Sequence, residues 1–157
     1  MLARAELLDH AKHPRNRGEL SGAHVVQEEV NPLCGDVVTI YAKVEKGEID
    51  LRSYKLQATS FVGHGCLISQ AAASMLTEDV VGKPIEDVLR MERADMERLL
   101  GSPLSPSRVK CAMLPLIALM NGLKSFLSLR AQPQYHRGYG AKRSNPSEIT
   151  SSLRSSQ

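Results

Sequence analysis

His24-Val-Val-Gln-Glu-Glu-Val30, Asn31-Pro-Leu-Cys-Gly-Asp36 and Val37-Val-Thr-Ile-Tyr-Ala-Lys-Val-Glu45 run consecutively, and their reading decides the fold. In the third segment Val38, Ile40, Ala42 and Val44 alternate with more polar neighbours, the two-residue period of a half-buried strand. Strands are predicted over 24–30 and 37–45, with the Pro- and Gly-bearing segment between them as a loop. Glu45-Lys46-Gly47-Glu48 then reads as a hairpin turn. The next strand starts with Ile49 and Leu51 on one parity and continues with Tyr54, Leu56 and Ala58 on the other. That phase switch predicts a bulge near Arg52-Ser53.

Outside this core the pattern is helical. Residues 4–13 read as a short helix stopped near Pro14. From about Cys66, residues Leu67, Ile68, Ala71, Ala72, Met75 and Leu76 recur at helical spacing, with Gly82 beyond as a stop. Short helices are predicted at 84–90 and 92–100, the second closed by Gly101. The last helix starts with Ser105 as N-cap and Pro106 at its first position. Its stripe is read as Val109, Met113, Leu116, Met120, Leu123 and Leu127, with Pro115 kinking the helix or shifting its start. Strands early and helices late make an α+β domain: a small antiparallel sheet of about three strands packed with helices, ending in a long C-terminal helix.

The chain has 157 residues, enough for one domain with a real core. Its net charge of +3 divides unevenly. Residues 1–129 hold 15 Lys+Arg against 16 Asp+Glu, whereas residues 130–157 hold Arg130, Arg137, Lys142, Arg143 and Arg154 against Glu148. The basic balance belongs to a tail, read as disordered. Its positives are too spread for a nucleic-acid patch. The longest apolar run, Cys111 to Met120, is interrupted by Pro115, so no membrane span is expected. The N-terminus lacks the pattern of a secretory signal. With three cysteines, an odd number, this points to a reducing, cytoplasmic setting rather than a disulfide framework.

Each cysteine sits in its own motif. Cys34 and Asp36 lie in the loop between two strands, Cys66 follows Gly63-His64-Gly65, and Cys111 follows Arg108-Val109-Lys110. One reading is three core thiols. The other is a four-ligand site for zinc or an iron–sulfur cluster, with Asp36 as the oxygen ligand. The Pro/Gly loop is a poor place to bury a thiol, and a helix N-terminus favours a thiolate at Cys66. Cys111 is about 200° round from Val109, so it is expected to face away from the apolar stripe. Arg108, three residues before it, would stabilise a thiolate or persulfide anion. His64 is either a further, exchangeable ligand or surface-exposed. A zinc hydrolase would need an open metal position and a nearby base, and no zincin-like spacing is present. A structural zinc module would pair its cysteines closely.

Together these motifs resemble the IscU/SufU/NifU N-terminal scaffold family. The resemblance rests on Asn31-Pro-Leu-Cys-Gly-Asp36, Gly63-His-Gly-Cys-Leu-Ile-Ser69 and Arg108-Val-Lys-Cys-Ala112, with Asp9-His10-Ala-Lys-His-Pro14-Arg15-Asn16 as an N-terminal signature. It covers about residues 6–128. It implies a scaffold that receives persulfide sulfur from a pyridoxal-phosphate cysteine desulfurase (IscS/SufS-like), builds a transient [2Fe–2S] cluster from iron, and passes it to acceptor apoproteins. Its alternative is the SufU branch, in which bound zinc presents a thiol for sulfur relay. Carried over, Cys34, Asp36, Cys66 and Cys111 are the ligands, with Cys34 first and Cys111, beside Arg108, second as sulfur acceptor. Arg108 and Lys110 resemble the SufU pattern, yet only 44 residues separate Cys66 from Cys111, without the longer segment typical of that branch.

Overall fold

A computed structural model describes residues 2–47 and 53–131. The elements run α1 (Leu2–Lys12), β1 (Val25–Asn31), β2 (Asp36–Glu45), β3 (Lys55–His64), α2 (Leu67–Asp79), α3 (Ile85–Leu89), α4 (Arg93–Leu100) and α5 (Pro106–Arg130). The strands form an antiparallel sheet in the order β1-β2-β3. The architecture is the expected α+β one.

Strand parity decides what the sheet buries. Register places Val25 opposite Ala42, Gln27 opposite Ile40 and Asn31 opposite Asp36, and β3 adds Phe61 beside Ile40. On this face Val38, Ile40, Ala42, Leu56 and Phe61 are fully buried. The other parity is half-open, with Val26 and Val30 exposed. The outer edge of β3 is covered by residues 16–18: Phe61 N–H donates to Asn16 O, and Gly18 N–H donates to Phe61 O. Covering an edge in this way leaves fewer unpaired backbone groups for aggregation.

The structure places a bulge within β3. Lys43 pairs with Ala58 and Val44 with Leu56, so the extra residue is Gln57, inside β3. Residues 48–52, and with them Arg52 of the expected bulge and Glu48 of the hairpin turn, lie outside the described residues. β3 also runs further than the alternation suggested and takes in Gly63 and His64.

Helix α1 is held against α2 by polar groups. His10 Nδ1 lies 2.8 Å from Ser74 Oγ, which also accepts the Arg15 N–H at 2.8 Å. Both side chains are buried, and His10 Nε2 sits 3.7 Å from Glu78. Helix α4 ends at Gly101 in the left-handed conformation (φ 65°), the role its position predicted.

Helix α5 corrects one expectation, the placing of its buried face. The buried residues are Cys111, Ala112, Leu114, Pro115, Leu116, Ala118, Leu119, Gly122, Leu123 and Phe126, whereas Val109, Met113 and Met120 are only partly covered. The core face is therefore rotated from the Val109–Met113–Met120 line and includes Cys111. Small residues set this phase. A Cβ on Gly122 would come 2.5 Å from Val25 Cγ1 and 3.0 Å from Gln27 Cβ, so the helix lies close on β1 only because glycine is there. The helix starts at Pro106 and continues through Pro115, so the proline does not shift its start. Proline has no N–H, so the carbonyl of Cys111, four residues earlier, loses its usual helical donor. By length and composition alone α5 would pass as a membrane span, with 25 residues and a best stretch of mean hydropathy 1.5, but half of that stretch is buried inside the fold. That burial is the pattern of a core helix.

The described residues up to Phe126 form one compact unit, and α5 runs past its end to Arg130. The division expected at 129/130 falls at the end of α5, and residues 132–157 of the expected tail lie outside the described residues.

Candidate functional site

The loop between β1 and β2 is a tight hairpin closed by the Asn31–Asp36 pair. Gly35 takes φ +73° and its N–H donates to Asn31 O at 2.8 Å. Asn31 Oδ1 accepts the Leu33 N–H at 3.1 Å, an Asx turn that fixes the residue before Cys34. The hairpin thus presents Cys34 exposed at its tip and returns Asp36 buried, 4% exposed, at the start of β2.

Cys66 enters from the other edge strand. It is the N-cap residue of α2, exposed, and its N–H donates to Asp36 Oδ1 at 3.2 Å. Gly65 makes that approach geometrically feasible. A Cβ there would meet Ser69 Oγ at 2.5 Å and Asp36 Cγ at 2.7 Å. Helix α5 brings the third thiol: Cys111 is 8% exposed, with its Sγ 3.7 Å from Cys34 Sγ and 3.8 Å from Asn31 Nδ2.

Ligand atoms of Cys34, Asp36 and Cys111 all lie within 4.8 Å of one another. Cys66 adjoins this group through its hydrogen bond to Asp36 and the influence of its thiol on Cys111. His64 is not in the group. It pairs with Val37, which puts it on the opposite parity from Asp36, and it is exposed. The Arg108 side chain is exposed, makes no hydrogen bond or ion pair among the described residues, and lines a groove that Cys66 also borders.

The electrostatics divide the site. Burial alone would raise Asp36, but the thiols of Cys66 and Cys34, the Ser69 hydroxyl and the Cys66 N–H favour its charged form more strongly. The carboxyl therefore titrates below its ordinary value. Burial, then the neighbouring Cys34 and Cys66 thiols, pushes Cys111 up to about 12, so at neutral pH it is a protonated thiol. Asp36 Oδ2 is buried and has no hydrogen-bond partner. An orphaned carboxylate oxygen beside clustered thiols is unfavourable unless a cation takes it. The donor set, soft sulfur with one hard oxygen, fits zinc or iron.

Residues 3–132 match the NifU-like N terminal domain family. The chain belongs to this family. It is 33% identical over 137 residues to the iron-sulfur cluster assembly scaffold protein IscU of Streptococcus pyogenes serotype M1, covering 76% of this chain and 81% of the relative. It is 36% identical over 139 residues to the zinc-dependent sulfurtransferase SufU of Bacillus subtilis, covering 78% and 89%. A crystal structure of a NifU-like protein (N-terminal) from Brucella abortus superposes with TM-score 0.63 at 22% identity, covering 80% and 94%, a likeness of fold.

Two residues at the site carried no role in the sequence reading. Asn31 was legible as an Asn-Pro turn former ahead of Cys34, but its reach to Cys111, 80 positions away, was not. Gly65 was legible only as a glycine beside a thiol, and the residue it makes room for is Asp36.

Proposed function

We propose that this protein is a scaffold for iron–sulfur cluster assembly. On this reading it accepts persulfide sulfur from a cysteine desulfurase, builds a [2Fe–2S] cluster as cargo on Cys34, Asp36, Cys66 and Cys111, and hands it to acceptor apoproteins. The observation that carries the proposal is the gathering of Cys34, Asp36 and Cys111 donor atoms within 4.8 Å, with Asp36 Oδ2 buried and unpartnered. Membership of the NifU-like N terminal domain family supports the same reading. Free thiols fit a reducing cytoplasm.

Sulfur acceptance is thiol exchange. A cysteine thiolate attacks the terminal sulfur of the donor persulfide, the donor S–S bond breaks, the donor thiolate leaves, and a persulfide remains on the acceptor. Cys34 is the proposed acceptor because it stands exposed on a hairpin tip, whereas Cys111 is buried and protonated. Arg108 is proposed to favour anionic sulfur arriving at this side of the site. Asp36, the one oxygen donor, is proposed as the weaker ligand that lets the cluster leave.

The SufU relative favours a second reading, a zinc-dependent sulfur relay that holds no cluster. Zinc, when bound, would keep its thiol ligands deprotonated at neutral pH. Anaerobic reconstitution with iron, cysteine and a desulfurase separates the two. Appearance of a [2Fe–2S] absorption spectrum on this chain supports the scaffold. Stimulated desulfurase turnover by the zinc form, without that spectrum, supports the relay instead. In the scaffold reading Asp36→Ala slows cluster transfer to an acceptor, and equal rates overturn the role given to Asp36.

A further inference from the structure

A groove of about 800 Å³ runs away from Cys66 between α1, the first turn of α2 and the segment joining α4 to α5. Its walls are apolar: Leu7 and Leu8 from α1, Leu67 and Ile68 from α2, Leu100 and Leu104 from the α4 side. That volume falls in the range of about 300–1,000 Å³ typical of ligand pockets, far more than a solvent ion needs. Arg4 and Arg108 also line it, and none of its lining residues is acidic.

The two arginines are unlike the others in the described residues. Arg15, Arg17, Arg90, Arg93 and Arg98 each have a side-chain hydrogen bond or ion pair. Arg4 and Arg108 have none among the described residues. Two uncommitted guanidinium groups on an apolar trough call for an occupant that is apolar in the middle and carries carboxylates at its margins. The chain's own C-terminal segment does not meet that description: residues 130–157 carry five Lys and Arg against one Glu.

We infer that this groove docks an acidic amphipathic helical segment of a partner protein. Its apolar side chains enter between Leu7, Ile68 and Leu104, and its carboxylates pair with Arg4 and Arg108. Helix-in-groove recognition of this kind reads apolar anchors at helical spacing. The groove ends at an exposed thiol, so a segment seated in it holds its owner against Cys66. The inference deepens the sulfur-exchange reading by giving the partner a place to bind, but peptide binding is measurable without metal or sulfur.

The test uses the full chain and a fluorescein-labelled peptide of two Glu-Ala-Leu-Leu-Glu-Ala-Leu repeats, beside a counterpart with Lys for every Glu. Fluorescence anisotropy is expected to show binding of the acidic peptide only. Arg4→Glu with Arg108→Glu should weaken it roughly tenfold or more and admit the Lys peptide. Saturating acidic peptide should slow iodoacetamide alkylation of Cys66, read site by site by mass spectrometry, and leave Cys34 reactive. Binding that ignores both charge reversals overturns the inference, as does unprotected Cys66. Equal displacement by decanoate would make the occupant a small amphiphile. A dimer in sedimentation lost on Arg4→Glu would make it a second copy, and Cys66 exposed by deleting residues 132–157 would make it the chain's own tail. Each of these overturns docking of a partner segment. Zinc binding by the same samples tests the ligand set separately, so one reading can fail while the other stands.

Discussion

Replacing Gly65 with alanine tests the construction of the site without removing a ligand. The new Cβ would sit 2.7 Å from Asp36 Cγ and 3.0 Å from Asp36 Cβ. Carbon atoms in contact normally stand about 3.5–4.0 Å apart, so Asp36 or the start of α2 must retreat by roughly 1 Å. Ser69 Oγ, at 2.5 Å, can rotate aside, but Asp36 is fixed by its strand pairing to Asn31. The retreat stretches the 3.2 Å bond from Cys66 N–H to Asp36 Oδ1 and turns Oδ2 away from the thiols. Overpacking of this size costs about 1–3 kcal/mol in stability. Disturbing the groups that orient metal ligands typically weakens affinity by about 10–100-fold. Gly82→Ala serves as the control. Gly82 has φ +83° with open space around it, so alanine there costs about 1–2 kcal/mol of backbone strain without touching the site. Thermal melts and zinc competition against a chromophoric chelator should show both variants destabilised and only Gly65→Ala weakened for zinc. Zinc affinity unchanged in Gly65→Ala would refute the account of how Asp36 is positioned.

Because Cys111 is pushed up to about 12, the folded metal-free protein holds a proton that the unfolded chain releases from about 9 upward. Its contribution to stability is thus present below that range and lost as pH rises from 9 towards 12, which urea melts across pH will show. The same proton must leave when metal binds, so calorimetry in buffers of different ionisation enthalpy should detect proton release, with zinc affinity rising roughly tenfold per pH unit for each proton. Gly122→Ala should destabilise the fold by about 1–3 kcal/mol through its clash with Val25, despite a helix-propensity gain of about 1 kcal/mol, as measured by chemical denaturation. Ser74→Ala leaves the Arg15 N–H without its acceptor and His10 Nδ1 without its partner, and should cost about 1–3 kcal/mol, seen as a lower urea midpoint at unchanged slope.

Local signals were the readable ones. Val38, Ile40, Ala42 and Val44 announced β2 because one face of a strand is buried and the other is not. Ser105-Pro106 and Gly101 announced helix ends because proline and glycine have few alternatives there. The motifs around Cys34, Cys66 and Cys111 named the candidate site for the same reason. Long-range fit was hidden. The face of α5 was misjudged because Val, Met and Leu outweigh Ala and Gly in any apolar tally, whereas Gly122 is what lets this helix lie close on β1. The bulge at Gln57 was not foreseen because alternation in one strand does not reveal its partner's register. Neither Asn31 reaching Cys111 nor Gly65 yielding to Asp36 leaves a mark in either local sequence.

Pro115 has a dynamic consequence for Cys111. A helix whose fourth-previous carbonyl lacks a donor opens more easily on that side than on the other. The turns from Pro106 to Leu114 are therefore expected to open before the later stretch around Gly122, which lies close on β1. Amide hydrogen exchange should be faster in the first segment than in the second. Cys111 lies in the looser one, so the thiol most deeply enclosed in the resting fold is also mounted where the chain yields first.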